Sequence, residues 1–321
     1  MENVTSTIHL EMGNISQPEV YSIPPWSTLA INVDLSLKQF LKESTPDYVY
    51  IQHFAEIQHH DRTLIPIYTD GSKSDDYVGS AFVCQDEIMS EQIALNSFIF
   101  TAELQAIHLA LKYVIRKGQC CCVIYTDSVS ALQALILCEP SFHSIVIKIH
   151  KLFCHLCASN IFVKFCWVPG HVGIRGNVEA DAAAKSESPS QHTMFIEGDD
   201  LKLVIKKRLT ERWQNVWNTQ IHNKLHEIKS MIENWTHMKF YDRRCEVVIT
   251  HLRIGHTRLT HQYLLKGDDQ PVCQYCNCPL TIKHILLDYS AFETKRRQYF
   301  GTGCLIEILG QRLNLYNVLD F

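Results

Sequence analysis

Apolar positions along residues 64–190 alternate between short strand-like runs and longer helical repeats. Strands are predicted at residues 64–69, 78–84, 88–95, 120–126 and 161–167, each a short apolar run bounded by polar residues. Helices are predicted to open at Thr101 and to cover residues 129–137 and 144–159. The order predicts an α/β fold in which the second and third strands form an antiparallel hairpin.

Two of these strands end in nearly the same motif. The first runs into Tyr68-Thr69-Asp70-Gly71-Ser72, and the fourth runs into Tyr125-Thr126-Asp127-Ser128. If the two strands are adjacent and parallel, Asp70 and Asp127 lie together at the carboxyl edge of the sheet, where open α/β sheets bind ligands. Taken alone, Asp70 is better explained by a turn in which its side chain bonds its own backbone.

Two further acids are expected at helix starts that face the same edge. Glu103 lies in the first turn of the helix that opens at Thr101, where the helix dipole by itself favours an acid. A Gly-rich loop at residues 169–176 precedes a helix that contains Asp181, and Asn177 is expected to cap that helix. Four converging carboxylates cannot all ionise at neutral pH without a cation. Hard oxygen ligands select Mg²⁺ or Mn²⁺, and two such ions ~4 Å apart suit phosphodiester hydrolysis.

The motifs Tyr-Thr-Asp-Gly-Ser, Thr-Ala-Glu-Leu-Gln-Ala-Ile, Tyr-Thr-Asp-Ser, Trp-Val-Pro-Gly-His and Gly-Asn-Val-Glu-Ala-Asp follow one another in this order. Together they resemble ribonuclease H type 1 over about residues 64–190. The resemblance implies a mixed five-stranded sheet flanked by helices and cleavage of the RNA strand of RNA–DNA hybrids. It also implies that Asp70 bridges two metal ions, that Asp181 completes one site and that Glu103 and Asp127 complete the other. His171, on the loop, would assist proton transfer or product release.

We expect contacts to the RNA strand near Gly71 and Ser72. These contacts would recognise the 2′-hydroxyl, the group that distinguishes RNA from DNA. Residues 138–144 form a short connection without Lys or Arg, where some cellular members of the family carry a basic insertion. We therefore expect the isolated domain to bind hybrid weakly. Two other hypotheses about the function of the chain stay open: a catalytically silent nucleic-acid-binding remnant, and an integrase- or transposase-like nuclease.

Residues 191–321 are predicted to form a mainly helical region, with Leu201, Ile205, Leu209, Trp213 and Val216 packing into a core. A zinc-knuckle-like segment follows at about residues 273–289, where Cys273, Cys276 and His284 have the spacing of zinc ligands. The segment resembles the tails of non-LTR (LINE-like) retrotransposon reverse-transcriptase polyproteins, which implies an upstream reverse transcriptase as a partner. In those tails a Cys usually follows the His by five positions. Tyr289 stands there in this chain, so Zn²⁺ binding stays open, with Cys278 or Asp288 as alternative ligands.

Composition and charge fit an intracellular protein that acts on nucleic acid. The chain of 321 residues carries a net charge of −4, yet residues 191–321 hold 18 basic and 14 acidic side chains. Its thirteen cysteines are an odd, scattered set typical of reduced thiols. We see neither a signal peptide nor a membrane-spanning run, and expect a cytoplasmic or nuclear location. Residues 1–63, rich in proline and acidic, are interpreted as an N-terminal connector.

Overall fold

The computed structural model describes residues 15–16, 31–85, 87–118, 120–137, 143–186, 188–193, 195–235, 242–301 and 303–321. Two compact units divide the chain, Met1–Lys206 and Lys207–Phe321. Within the described ranges, no helix is long and apolar enough to cross a membrane.

A mixed sheet of seven strands organises the first unit, as far as the structure describes it. The strands are β1 (Asn32–Asp34), β2 (Ile65–Lys73), β3 (Val78–Cys84), β4 (Glu87–Gln92), β5 (Cys121–Thr126), β6 (Phe162–Trp167) and β7 (Gln191–His192). Their order across the sheet is β1-β6-β5-β2-β3-β4-β7. β2 is parallel to β5 and antiparallel to β3, which in turn pairs antiparallel with β4. The predicted α/β fold and its hairpin are confirmed, and two short edge strands extend the five that the family resemblance implied.

Helices cover the faces of this sheet. They are α1 (Asp47–His60), α2 (Ile99–Lys117), α3 (Val129–Ile136), α4 (Ser144–Ala158) and α5 (Arg175–Ala184), followed by α6 (Gly198–Asn218). Leu104, Ile107 and Leu111 of α2 are fully buried in the main core, because helical spacing puts them on one face. α2 ends at Gly118, whose φ of 66° is the left-handed conformation that glycine adopts without steric cost.

The start of α5 differs from the prediction. The helix begins at Arg175, so Asn177 lies inside its first turn instead of capping it. The side chain of Asn177 is buried, with 3% of its surface exposed. A buried amide needs partners of its own, and Asn177 finds one in the candidate site described below.

The described part of the N-terminal segment packs on the sheet. β1 pairs in parallel with β6, with Asn32 opposite Lys164. Phe54 of α1 packs its ring against Tyr125 at a centroid distance of 5.0 Å. The sequence boundary at residue 63 therefore does not coincide with a break between compact units, because the first unit runs through to Lys206. Residues 1–14 and 17–30 of the predicted connector lie outside the described residues.

Short helices dominate the second unit. They are α7 (Lys224–Ile228), α8 (Arg243–Arg253), α9 (Arg258–His261), α10 (Tyr263–Lys266), α11 (Glu293–Tyr299), α12 (Leu305–Leu309) and α13 (Leu315–Asp320). Its core is a separate apolar cluster that includes Ile249, Leu286 and Leu309.

The predicted core packing along α6 is wrong. Leu209, Trp213 and Val216 expose 48%, 63% and 56% of their surface. Charged residues such as Lys207 and Arg212 flank these positions, so the apolar stripe is narrow. A narrow stripe offers too little apolar area to be buried along its whole length.

Candidate active site

Strand register brings the two repeated motifs side by side. β2 and β5 run in parallel with Tyr68 opposite Tyr125 and Thr69 opposite Thr126. The two tyrosine rings stack at a centroid distance of 5.0 Å. Asp70 and Asp127 each follow one of the paired threonines, so both carboxylates emerge at the same edge of the sheet.

Gly71 sets how closely α2 approaches this edge. A Cβ atom at Gly71 would lie 2.6 Å from the backbone nitrogen of Glu103 and 2.8 Å from the carbonyl carbon of Ala102. The Gly71 N–H donates to Oδ1 of Asp70 at 2.9 Å and also hydrogen-bonds the Glu103 carboxylate. The absence of a side chain at Gly71 therefore lets a helix residue and a strand residue share one donor.

Four acids that the sequence singled out meet here. Carboxylate oxygens of Asp70, Glu103 and Asp127 all lie within 4.8 Å of one another. Asp181, on α5, hydrogen-bonds the side chain of Asp70. Lys185, directly after the end of α5, forms an ion pair with Asp181 at 2.7 Å. The cluster thus draws on two neighbouring strands and two helices.

Burial and mutual repulsion raise the pKa of three of these acids, Asp70, Glu103 and Asp127, which favours their protonated forms. Burial, together with the charges of Asp127 and Asp181, raises the pKa of Asp70 to about 8. Burial and the neighbouring Asp70 raise the pKa of Glu103 well above its usual range. Burial also raises the pKa of Asp127, although a hydrogen bond from Asn177 and the nearby His171 act in the opposite direction. A divalent cation would replace these protons and restore the charged carboxylates.

The donor set fits Mg²⁺ or Mn²⁺. Oε2 of Glu103 is buried, and no hydrogen bond reaches it from any residue that the structure describes. Leaving a buried carboxylate oxygen without a partner is costly, by about 1–3 kcal/mol or more for a charged group. Coordination to a hard cation supplies the missing partner, and all the converging atoms are the oxygens that such a cation prefers.

The loop before α5 passes directly over Asp127. A Cβ atom at Gly170 would collide with Oδ2 of Asp127, so a side chain there would displace that carboxylate. His171 comes next and is exposed, with a φ of 60°. Its charge acts on Asp127, which places the imidazole beside the carboxylate cluster.

The sequence analysis did not predict three residues that position the site. Trp167 donates its indole N–H to the Asp127 carbonyl oxygen at 3.0 Å. Asn177 hydrogen-bonds the Asp127 carboxylate, although its sequence position suggested a helix cap. Lys42 donates to the Gly170 carbonyl oxygen at 2.8 Å and so holds the histidine loop from a segment 128 residues away. Only Trp167 and Asn177 lie in motifs that the sequence analysis had identified.

The predicted substrate-contact residues lie next to the cluster. Gly71 and Ser72 continue β2 past Asp70, opposite Ser80 and Gly79 of β3, and both are partly exposed. Their backbone is therefore accessible beside the carboxylates.

The predicted zinc ligands lie in the second unit. One ligand atom from each of Cys273, Cys276 and His284 falls within 4.8 Å of the others. This cluster is separate from the four acids in the chain and is made of sulfur and nitrogen donors.

A mixed sheet with acids that converge beside its parallel strands belongs to the class of α/β folds that bind ligands at this edge of the sheet. Within that class, the RNase H family model matches residues 62–189. The match supports a ribonuclease H domain in this part of the chain, and with it nucleic-acid binding and nuclease activity on RNA–DNA hybrids in general. No curated protein matches the chain.

Proposed function

We propose that the chain is a metal-dependent endonuclease that hydrolyses the RNA strand of RNA–DNA hybrids. One observation carries the proposal: the carboxylate oxygens of Asp70, Glu103 and Asp127 lie within 4.8 Å of one another. Asp181 bonds to the same group, inside the segment that the RNase H family model matches.

Two Mg²⁺ or Mn²⁺ ions are the proposed cofactors. Asp70, which neighbours the other acids, would hold both ions, Asp181 would complete one site, and Glu103 with Asp127 would complete the other. When bound, such ions activate a water molecule and stabilise the departing oxygen of a phosphodiester.

The protein's own side chains fix and assist this centre. Gly71 orients Asp70 and Glu103 by donating to both, and Trp167 and Asn177 hold Asp127 from its backbone and its carboxylate. His171 would take up or release a proton at a ring nitrogen, since histidine commonly exchanges protons near neutral pH.

Selectivity for RNA is proposed to come from the edge of β2. Gly71 and Ser72 present accessible backbone and a hydroxyl beside the acids. A 2′-hydroxyl both donates and accepts hydrogen bonds, so these groups can recognise it.

A retrotransposon origin is part of the proposal. The Cys/His segment that resembles LINE-like tails supports it, because it follows the ribonuclease H domain along the chain. An upstream reverse transcriptase is the partner that this origin implies.

The experiment is a cleavage assay with end-labelled RNA in an RNA–DNA hybrid and Mg²⁺. We expect cutting of the RNA strand by the intact chain, and loss of cutting with retained hybrid binding in Asp127→Asn. Asp75→Asn is the matched control, because Asp75 is an exposed acid in the turn after β2. Binding without cutting would favour a silent remnant, and cutting of DNA alone would favour an integrase-like enzyme; either result contradicts the proposal.

A further inference from the structure

A tight hairpin in the second unit carries three cysteines. Val272 and Pro279 pair as an antiparallel bridge. The Cys273 N–H donates to the Cys278 carbonyl oxygen at 2.9 Å, and the Asn277 N–H donates to the Cys273 carbonyl oxygen at 2.9 Å. Asn277 has a φ of 53°, a left-handed conformation that asparagine tolerates better than most residues. The turn therefore holds the three cysteines on a fixed backbone.

The backbone of this turn is arranged around the sulfur of Cys273. The N–H groups of Tyr275 and Cys276 both donate to that sulfur. Cys273 is also buried, with 4% of its surface exposed. Donors aimed at a buried sulfur stabilise the thiolate, which is the form of cysteine that binds metals.

His284 reaches the hairpin from the next turn of the chain. It opens a π-helical turn (His284–Asp288), and its N–H donates to Oγ1 of Thr281 at 3.0 Å. Only 5% of its surface is exposed, and a ring nitrogen lies within 4.8 Å of sulfurs from both Cys273 and Cys276. A buried imidazole and two sulfurs are three of the four donors that a tetrahedral site needs.

Cys278 is the candidate for the remaining donor, although its sulfur is not among the atoms that all lie within 4.8 Å of one another. Its sulfur lies 3.4 Å from Nδ1 and 3.8 Å from Nε2 of His284. With bonds of about 2.3 Å to sulfur and about 2.0 Å to nitrogen, two donors on one tetrahedral zinc are about 3.5 Å apart. The observed separation therefore matches that of two ligands sharing one ion.

Tyr289 is a weaker candidate for that position. Its backbone N–H is bonded to the His284 carbonyl oxygen at 2.8 Å, and its ring packs on the His284 ring at 5.8 Å. The ring contact fills space beside the histidine. A phenol is a far harder donor than a thiolate, and zinc in a sulfur-rich site selects the thiolate.

We infer that Cys273, Cys276, Cys278 and His284 form a closed structural Zn²⁺ site in which Cys278 is the fourth ligand. Three thiolates and one imidazole are a common ligand set for structural zinc. Ile282 and Leu286, which flank His284, are buried in the apolar core of the second unit. Because metal binding couples to folding, zinc would stabilise this core through the His284 turn.

The test uses the full chain purified under reducing conditions, with its zinc content and its Co²⁺-substituted absorption spectrum measured. We expect one zinc per chain and a sulfur-to-cobalt charge-transfer band of three-thiolate intensity. Cys278→Ser should lower that band to the two-thiolate level and weaken zinc binding by at least about tenfold. Cys304→Ser is the matched control, because Cys304 is an exposed cysteine outside the cluster, and Tyr289→Phe should also leave binding unchanged.

Three results would overturn the assignment. They are a reduced, folded chain that takes up no zinc, a Cys278→Ser chain with an unchanged cobalt spectrum, and weakened binding in Tyr289→Phe. If Cys278→Ser does not fold, Cys278→His decides, since it keeps a donor at the position. We expect it to bind zinc with a two-thiolate cobalt spectrum, and a spectrum identical to that of the unmodified chain would contradict the proposal. None of these measurements depends on hybrid cleavage.

Discussion

The two donor clusters of this protein are assembled at very different ranges along the chain. Asp70, Glu103, Asp127 and Asp181 come from strands and helices spread over the first unit, whereas the Cys/His cluster fits between Cys273 and His284. The acids meet only if β2 and β5 pair in the observed register and α2 packs on Gly71. The sulfur cluster needs one hairpin and the turn after it.

Because of this difference, the two clusters affect the stability of the folded chain in different ways. Asp70 and Glu103 are buried and repelled by neighbouring acids, which raises the pKa of both carboxyl groups, so without a cation they oppose folding as the pH rises. Two backbone N–H groups donate to the sulfur of Cys273, so its hairpin favours the metal-binding thiolate locally. We therefore expect changes at the acids to alter activity and stability in opposite directions, and changes at the cysteines to alter the stability of the second unit.

The largest expected effect is loss of cleavage in Asp70→Asn. Removing the carboxylate that faces the other acids should lower the rate of hybrid cutting by about 10³-fold or more, since metal-ion stabilisation supplies several kcal/mol. The rate of hybrid cleavage in Mg²⁺ and the zinc content should both be measured on the same preparation. Zinc content should not change. A variant that lost both cutting and zinc would show that the two clusters are not independent.

The second prediction concerns the pH dependence of the metal-free fold. Asp70 has a pKa of about 8 when folded and an ordinary value of 3.8, so the folded state binds the proton more tightly. Its stabilising effect is complete below the unfolded pKa and is lost as the pH rises through about 8. Thermal unfolding in EDTA should show a loss of a few kcal/mol between pH 5 and pH 8, at about 1.4 kcal/mol per pKa unit.

Two controls sharpen this result. Asp70→Asn should flatten the pH dependence, and Mg²⁺ should raise the unfolding temperature more at pH 8 than at pH 5. The exposed-acid variant Asp75→Asn should keep the slope of the unmodified chain. A stability that rises over this pH range without metal would show that the acids are not held protonated.

Third, Gly71→Ala should disturb both strand and helix. Its Cβ would press on backbone atoms of Ala102 and Glu103, which cannot rotate away. We expect a loss of about 1–3 kcal/mol in unfolding free energy and slower cutting. Gly198→Ala is a matched control, because among the described residues no atom beyond its chain neighbours and its own helix backbone lies within 4 Å of a Cβ at Gly198. Equal stability of the two variants in denaturant titrations would contradict the close packing.

The smallest effect is expected for Trp167→Phe. The variant keeps an aromatic ring but loses the hydrogen bond to the Asp127 carbonyl oxygen, which is worth about 1 kcal/mol. We expect hybrid cutting to slow by about fivefold and the Mg²⁺ concentration for half-maximal activity to rise. Phe165→Leu, a core change away from the acids, should lower stability without changing the Mg²⁺ requirement. A shift of the Mg²⁺ requirement in Phe165→Leu alone would argue against a positioning role for Trp167.

Local patterns in the sequence predicted much of the site. The apolar run before Asp127 predicted the end of β5, whereas β2 continues past Asp70 to Lys73. The period of Leu104, Ile107 and Leu111 predicted the buried face of α2. These features depend on neighbours a few residues apart, which the sequence shows directly. The four acids, the histidine loop and the Cys/His spacing were all visible at this level.

The tertiary structure decided the contacts that cross the chain. It put β1 beside β6, brought Lys42 to the loop of His171 and turned Asn177 from an expected cap into a buried partner of Asp127. It also left Trp213 exposed on α6. No local pattern encodes strand order or which helix face another element covers, because these depend on packing between residues far apart in sequence.

The two clusters show the same division. The sequence determined which donors exist: carboxylates for a hard cation in the first unit, and thiolates with an imidazole for zinc in the second. Only the folded chain decided which of them meet, through the β2–β5 register for the acids and through the 3.4 Å approach of Cys278 to His284 for the sulfurs. Donor chemistry belongs to each residue, whereas convergence depends on backbone geometry that many residues fix together.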